Sequence, residues 1–413
     1  MTSSRFLPLI PISIVLAGCG ARTITPSATP QSSAQGVSKS AQNARVSTPP
    51  RVTTTAPTPK PAAILPGPAT PPPQTASSNA VLVVEQPASN GMYSVSLVNA
   101  AGHSLATTRV SSRDEWTVVA GHGGAYWMDG GRVKLLTQSG TVRDIGGVPA
   151  GAGELLVSPD GSAYAYDTNT VVRSSSAATE NRIIVQVVGG PARIIADRIS
   201  DPSHPTADAP PQWMYGLMSW TKQGILFRRE VTGTCGCQAF DMQTLAGYTG
   251  IIDPGSDNLT DLTSNTSCPL TALGAGMATG CFHGISSGAA DSLRIVTAGR
   301  MTSQLALSGK NVGGDGVFSA DGTTLAYETV PTADAGCGSS AFPTTLHLLD
   351  ISSGSVRATQ ITGLHAKLWP GGGPIYGDVD SASGSAVVTV DPATMAVHRV
   401  LTGPAGTRFV GVV

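Results

Sequence analysis

The chain has 413 residues, 40% of them hydrophobic and 12% charged, with a formal net charge of -1. The apolar share is enough for a sizeable core, and 25 Lys and Arg against 26 Asp and Glu leave no basic field to attract nucleic acid or acidic lipid. Abundant Gly, Ser and Thr, with little sign of Ala, Leu, Glu and Lys runs at helical spacing, point to an all-β chain.

The first elements in chain order concern address. Arg5 supplies a short positive region, Phe6 to Val15 an apolar run, and Leu16-Ala-Gly-Cys19 a small-residue cleavage site, together the pattern of an export signal. The apolar run is shorter than the roughly 20 residues that span a bilayer. Leu16-Ala-Gly-Cys19 resembles the lipobox of bacterial lipoproteins. That resemblance implies cleavage before Cys19, a diacylglyceryl group on its sulfur and acylation of the new N-terminus. More than one acyl chain anchors stably. Residues 1–18 are therefore expected to be a lipoprotein signal peptide, and lipidated Cys19 to hold the chain on the extracytoplasmic face of a membrane. Residues 19–79 mix Pro, Ser, Thr, Ala and Gln with hardly an aromatic or large aliphatic side chain. Such a segment buries too little apolar surface to offset the entropy of ordering, so a disordered tether is expected, stiffest around Pro71-Pro-Pro73.

From residue 80 to 413 the chain repeats itself. Val157-Ser-Pro-Asp-Gly-Ser-Ala-Tyr-Ala-Tyr166 returns as Phe318-Ser-Ala-Asp-Gly-Thr-Thr-Leu-Ala-Tyr327. An apolar run ends, Asp-Gly reverses the chain with the φ > 0 geometry of a tight two-residue turn, and an alternating run leaves again, which is a β-hairpin. Looser relatives are Val119–Trp127, Ser219–Phe227 and Leu368–Tyr376. Small antiparallel sheets recurring every few tens of residues make a β-propeller. Blades of about 40 to 50 residues give seven four-stranded blades, with six as the alternative. After a first unit holding the strands 93–99 and 104–110, the units expected are 115–147, 152–197, 213–253, 258–309, 312–363 and 365–402. The apolar strand Arg408–Val413 is left over, and pairing it beside Val81 would close the ring and remove its open edges.

The chemistry-bearing residues are sparse. Outside the cytoplasm Cys235, Cys237, Cys268, Cys281 and Cys337 are disulfide candidates, with Cys268–Cys281 the first guess and connectivity open. Zinc at Cys235-Gly-Cys237 would need further ligands, and only His283 is close in sequence. Gly284-Ile-Ser-Ser-Gly288 matches a hydrolase string, yet Ser286 is followed by what reads as a strand where a nucleophile elbow needs a helix. The seven histidines fall in different units, and Asp160 and Asp321 read as turn caps. No loop gathers enough oxygens for calcium, so no catalytic residue, metal or cofactor is assigned. Trp220, Trp369, Tyr166, Phe227, Tyr327 and Tyr376 are expected to pack between blades. Long connections at Thr168 to Asn181, Asp201 to Pro211, Glu230 to Cys237 and Pro331 to Thr344 emerge on one face, where a partner would bind.

Ser158-Pro-Asp-Gly161 with Ala163–Tyr166, and Ser319-Ala-Asp-Gly322 with Leu325–Tyr327, resemble the repeats of TolB-type propellers. Similar repeats form the propeller of prolyl-oligopeptidase-like proteins. The resemblance covers two repeats well and implies the fold. The function expected is a non-catalytic binding or scaffold module for a protein, glycan or cell-wall partner. The competing class is a propeller enzyme of the lyase, lactonase or cyclotransferase type, with polar groups of the innermost strands gathered in a central channel.

Overall fold

The computed structural model describes residues 80–413 apart from 112–117, 174–177, 202–212, 232–248, 263–271, 274–277, 284–291, 298–299, 307–310, 332–343, 362, 371–372 and 382–383. Cys19 and the expected tether lie outside the described residues.

Apart from one 3₁₀ turn at Ser89–Gly91, the described elements are β-strands. The first three strands are β1 (Val81–Pro87), β2 (Tyr93–Asn99) and β3 (Ser104–Val110), followed by a second sheet of β4 (Val118–Gly121), β5 (Gly124–Asp129), β6 (Arg132–Thr137) and β7 (Val142–Gly147). The third sheet holds β8 (Ala152–Val157), β9 (Ala163–Arg173), β10 (Ala178–Val187) and β11 (Ala192–Ser200). The fourth holds β12 (Trp213–Thr221), β13 (Gly224–Val231), β14 (Thr249–Ile252) and β15 (Leu259–Asp261). The fifth holds β16 (Ala272–Leu273), β17 (Ala278–His283), β18 (Ser292–Thr297) and β19 (Arg300–Ala306). The sixth holds β20 (Asn311–Phe318), β21 (Thr324–Pro331), β22 (Thr345–Asp350) and β23 (Val356–Gln360). The seventh holds β24 (Leu364–Leu368), β25 (Ile375–Ser381), β26 (Gly384–Val390) and β27 (Val397–Gly403). A last strand, β28 (Arg408–Val412), pairs with β1 and completes the first sheet as β28-β1-β2-β3.

Every sheet is thus four-stranded and antiparallel, a meander except where β28 completes the first, and the architecture is an all-β propeller. The innermost strands touch in turn from β16 through β20, β24, β28, β4 and β8 to β12. Packing on both faces leaves second strands such as β1, β5 and β25 buried over successive residues without alternation. In β1, Leu82 and Val84 pack toward Tyr376 and Val387, while Val81 and Val83 pack toward Ala125 and Trp127. Outer strands such as β23 are mostly exposed.

Closure by the chain's end is as expected, with Leu82 opposite Val412 and Val84 opposite Phe409. Phe409 stacks on Tyr376 of the seventh sheet at a centroid distance of 5.5 Å. The expected aromatic set is confirmed between sheets: Tyr166, Phe227, Tyr327, Tyr376 and Trp369 are buried, and Trp220 packs partly buried against the cluster joining the third and fourth sheets.

Three expectations need correction. The Ser-x-Asp-Gly loops are not two-residue turns, because Ser158 N–H pairs with Ala163 O and Ser319 N–H with Thr324 O, each at 2.9 Å, leaving four residues in the loop. Only the glycine takes positive φ, at 71° for Gly161 and 70° for Gly322. The supposed loop 168–181 is mostly strand, since the β-branched run Thr168-Asn-Thr-Val-Val172 continues β9 and leaves only 174–177 as connection. The fourth unit does not end at residue 253: β15 pairs with β14 and belongs to it.

A second repeat lies in the outer turns. Asp253, Asp350 and Asp391 each open a turn between third and fourth strands, and the residue four positions on (Asp257, Gly354, Met395) takes a φ of 59°, 69° or 61° and returns its N–H to the aspartate carbonyl. Arginines of the preceding outer strand grip two of these turns. Arg193 reaches Asp257 and Pro254 O, and Arg357 donates to Pro392 O and Ala393 O at 2.7 Å.

Candidate functional site

The polar chemistry of the propeller lies in the seams between sheets. Second strands carry a buried acid at matching places, two residues beyond a buried apolar one: Glu85 after Val83, Asp167 after Ala165, Glu328 after Ala326, and Asp378 after Tyr376. Because side chains alternate along a strand, each acid faces the sheet that its apolar neighbour packs against. Val83 packs against the second sheet, Ala165 the fourth, Ala326 the seventh and Tyr376 the first.

Several innermost strands are bulged at this level: β8 between Ala152 and Leu155, β12 between Leu217 and Ser219, β20 between Gly313 and Gly316, and β24 between Ala366 and Leu368. A bulge takes a backbone N–H out of the ladder, and a buried N–H must find another acceptor. Carboxylates supply it. Glu154 N–H donates to Asp167 Oδ1 at 2.6 Å, Leu217 N–H to Glu154 Oε2, and Ala366 N–H to Glu328 Oε1. Glu85 accepts instead from Arg408, its cross-strand partner on the closing strand.

Asp378 sits differently. It is 3% exposed and its Oδ1 has no hydrogen-bond partner. Burial pushes its carboxyl above the usual range, opposed by Lys367, then His365, with Asp380 adding to the rise and Arg408 opposing it. His365 is its cross-strand partner on β24, and Lys367 is the extra residue of the β24 bulge, with its side chain exposed. Among the described residues of the innermost strands, the basic side chains are His365, Lys367 and Arg408, all on the adjoining strands β24 and β28. The innermost strands therefore supply more polar groups than their apolar runs suggested. The sequence marks His365 only as one of seven histidines falling in different units, and does not mark Lys367 or Asp378. The readable signal was a His-x-Lys pair on a first strand opposite an acid on the second.

The other sequence candidates scatter. Cys235, Cys237, Cys268, Cys337 and Ser286 lie outside the described residues, as do most of the long connections. Cys281 is on β17 opposite Arg294, and the strand β18 follows the segment holding Ser286. Asp160 and Asp321 cap their loops, each accepting from a Ser Oγ two residues before it (2.7 and 2.6 Å) and from the N–H two residues after it (3.0 Å). Those bonds hold Asp160 down to about 2. His347 lies on the third strand β22, stacked on Tyr327 at 4.6 Å and bonded to Thr329 Oγ1 at 2.8 Å. Burial lowers it to about 4. Among the described residues no group of three His, Cys, Asp or Glu is arranged to hold a metal ion.

No family model matches the sequence, and comparison with curated proteins gave no match. Among solved structures, the chain is similar to TolB from Acinetobacter baumannii at 13% identity and a TM-score of 0.42, covering 80% of this chain and 63% of that one. It is similar to Pyrococcus horikoshii acylaminoacyl peptidase at 6% identity and a TM-score of 0.47, covering 77% and 52% of the two chains. An oligogalacturonate lyase matches at 11% identity and a TM-score of 0.36, over 75% and 71%. The chain thus spans less than two thirds of the length of that TolB and about half of the peptidase. At such identities the likeness is one of fold: this is a β-propeller with TolB proteins among its structural neighbours.

Proposed function

We propose that the chain is a lipoprotein anchored through Cys19 to the extracytoplasmic side of a membrane, and that its propeller is a non-catalytic module binding a protein, glycan or cell-wall partner. Each four-stranded sheet is taken as one blade, which makes the ring seven-bladed. The observation that carries the binding role is the outer end of the third sheet. There β9 and β10 pair beyond Thr168, the last residue of β9 matched by β8, and Val171 and Ile199 are 62% and 55% exposed with Val172 beside them. Exposed aliphatic side chains close together mark a contact surface more often than scattered ones do, and the same sheet exposes Val187, Val188 and Ile194 at its other end. The Val171 end is also the face on which connections from second to third strands emerge.

The test is crosslinking and capture of the full-length chain from its own envelope, compared with a Val171→Asp, Ile199→Asp variant. Loss of specific partners is expected, and an unchanged partner set would overturn the face assignment. Cys19→Ser is expected to move the chain from the membrane to the soluble fraction.

One observation favours the second reading, an enzyme with its site at the innermost strands: His365, Lys367 and Asp378 come together there. Against it, Asp167, Glu154 and Glu328 each hold a backbone N–H, so these acids are engaged in structure.

A further inference from the structure

We propose that the seam between the seventh and first sheets, where His365, Lys367 and Asp378 meet, binds an anionic oxygen group, a carboxylate or phosphate. This deepens the reading of the propeller as a binding module by naming the chemistry that one end of the ring accepts. Three observations converge. Basic side chains of the described innermost strands are confined to β24 and β28, and the β24 bulge turns Lys367 outward. Asp378 shares a face of β25 with Tyr376, whose ring stacks on Phe409 of β28, so its carboxyl points into the same seam. That carboxyl is buried with Oδ1 unbonded, and a buried polar atom left unbonded calls for a partner.

Ionised, Asp378 would oppose an arriving anion. Protonated, its O–H becomes the missing hydrogen-bond donor, and Lys367 balances the charge. The groups facing it are Lys367 and His365 from β24, Asp380 from its own strand, and Arg408 from β28, the last tied to Glu85 of β1. Its burial already favours the protonated form. Binding then takes one proton from solvent onto the Asp378 carboxyl, with no covalent bond made or broken. Affinity rises as pH falls.

The experiment is calorimetric titration of the full-length chain with acetate and with inorganic phosphate between about pH 5.5 and pH 8, a range in which acetate keeps its charge. Acetate is expected to bind with a dissociation constant that falls by up to about tenfold per pH unit on acidification. Asp378→Asn, which keeps a donor that needs no proton, should bind with a flatter pH profile. Lys367→Ala, an exposed change, should weaken both anions and carries the test if the Asp378 variant fails to fold. Vesicles of phosphatidylcholine with and without phosphatidylglycerol distinguish a lipid headgroup from a soluble phosphate as the source. Failure of wild type to bind any of these probes overturns the site, as does an unchanged pH profile in Asp378→Asn. If the Val171→Asp, Ile199→Asp variant captures an unchanged partner set while acetate binding persists, it is the partner face that fails and the seam site stands.

Discussion

If the ring is held shut by β28, the single side chain that matters most to closure is Phe409. It is 3% exposed, packs with Leu82, Val84, Val98, Tyr376 and Val387, and joins the last strand of the chain to the seventh sheet as well as to β1. Phe409→Ala removes the ring stack and leaves a cavity in a seam whose backbone is fixed by ladders on both sides. Such truncations cost about 3–5 kcal/mol. Set against the 5–15 kcal/mol typical of a whole domain, that is about a fifth of the stability or more. Urea unfolding followed by tryptophan fluorescence measures it, with Val397→Ala as the control. Val397 is 41% exposed on the outer strand β27 and its truncation should stay within about 0.5 kcal/mol. If the two variants unfold at the same urea concentration, closure by the terminal strand contributes nothing, and the architecture rests on some other contact.

Glu328→Ala is expected to destabilise by about 1–3 kcal/mol by stranding Ala366 N–H, while Glu328→Gln, which keeps an acceptor, should cost clearly less in the same unfolding assay. His347 is held down to about 4 by burial, so between its unfolded value near 6.5 and about 4 the unfolded chain binds more protons and stability falls with falling pH. His347→Gln should flatten that part of the stability profile. Asp160 is held down to about 2, so its contribution is present above the unfolded value near 3.9 and is lost as pH falls through about 2; carboxyl NMR should place its midpoint there. Arg193→Ala removes an ion pair between half-exposed side chains and should shift stability by less than about 1 kcal/mol, and by less still in high salt.

What could be read from the residues was what repeats in apolar pattern. Tyr164 and Tyr166 alternate with Ala163 and Ala165 because one pair meets the second sheet and the other the fourth, and the same logic marks Leu325–Tyr327. The unpaired apolar strand Arg408–Val412 likewise announced its place, since a ring built from meanders needs one strand that closes it. Polar patterning misled in two places. Asn169 and Thr170 looked like loop residues although their β-branched neighbours continue β9, and the separation of β15 from β14 by Asp253-Pro-Gly-Ser-Asp257 looked like a unit boundary. The bulges had no legible signature. Whether Ala366 or Lys367 is the extra residue depends on how β24 and β25 register, and register is set by contacts across the seam. For that reason the acids that answer the bulges looked like ordinary surface carboxylates.

Those acids account for how a chain so poor in charge uses it. Packing between sheets is non-directional and would tolerate one sheet sliding against the next, but a carboxylate that accepts one particular N–H of the neighbouring strand does not. Glu328 and Glu154 each join one sheet to a single backbone position of the following sheet, and Glu85 and Asp167 brace the innermost strand of their own. Asp378 holds the matching place at the seam between the seventh and first sheets, where its buried Oδ1 has no hydrogen-bond partner and the charges acting on it are those of the side chains Lys367, His365, Asp380 and Arg408. Where Glu154, Asp167 and Glu328 fix register through backbone N–H groups, Asp378 at the matching place serves instead the anion binding proposed for its seam.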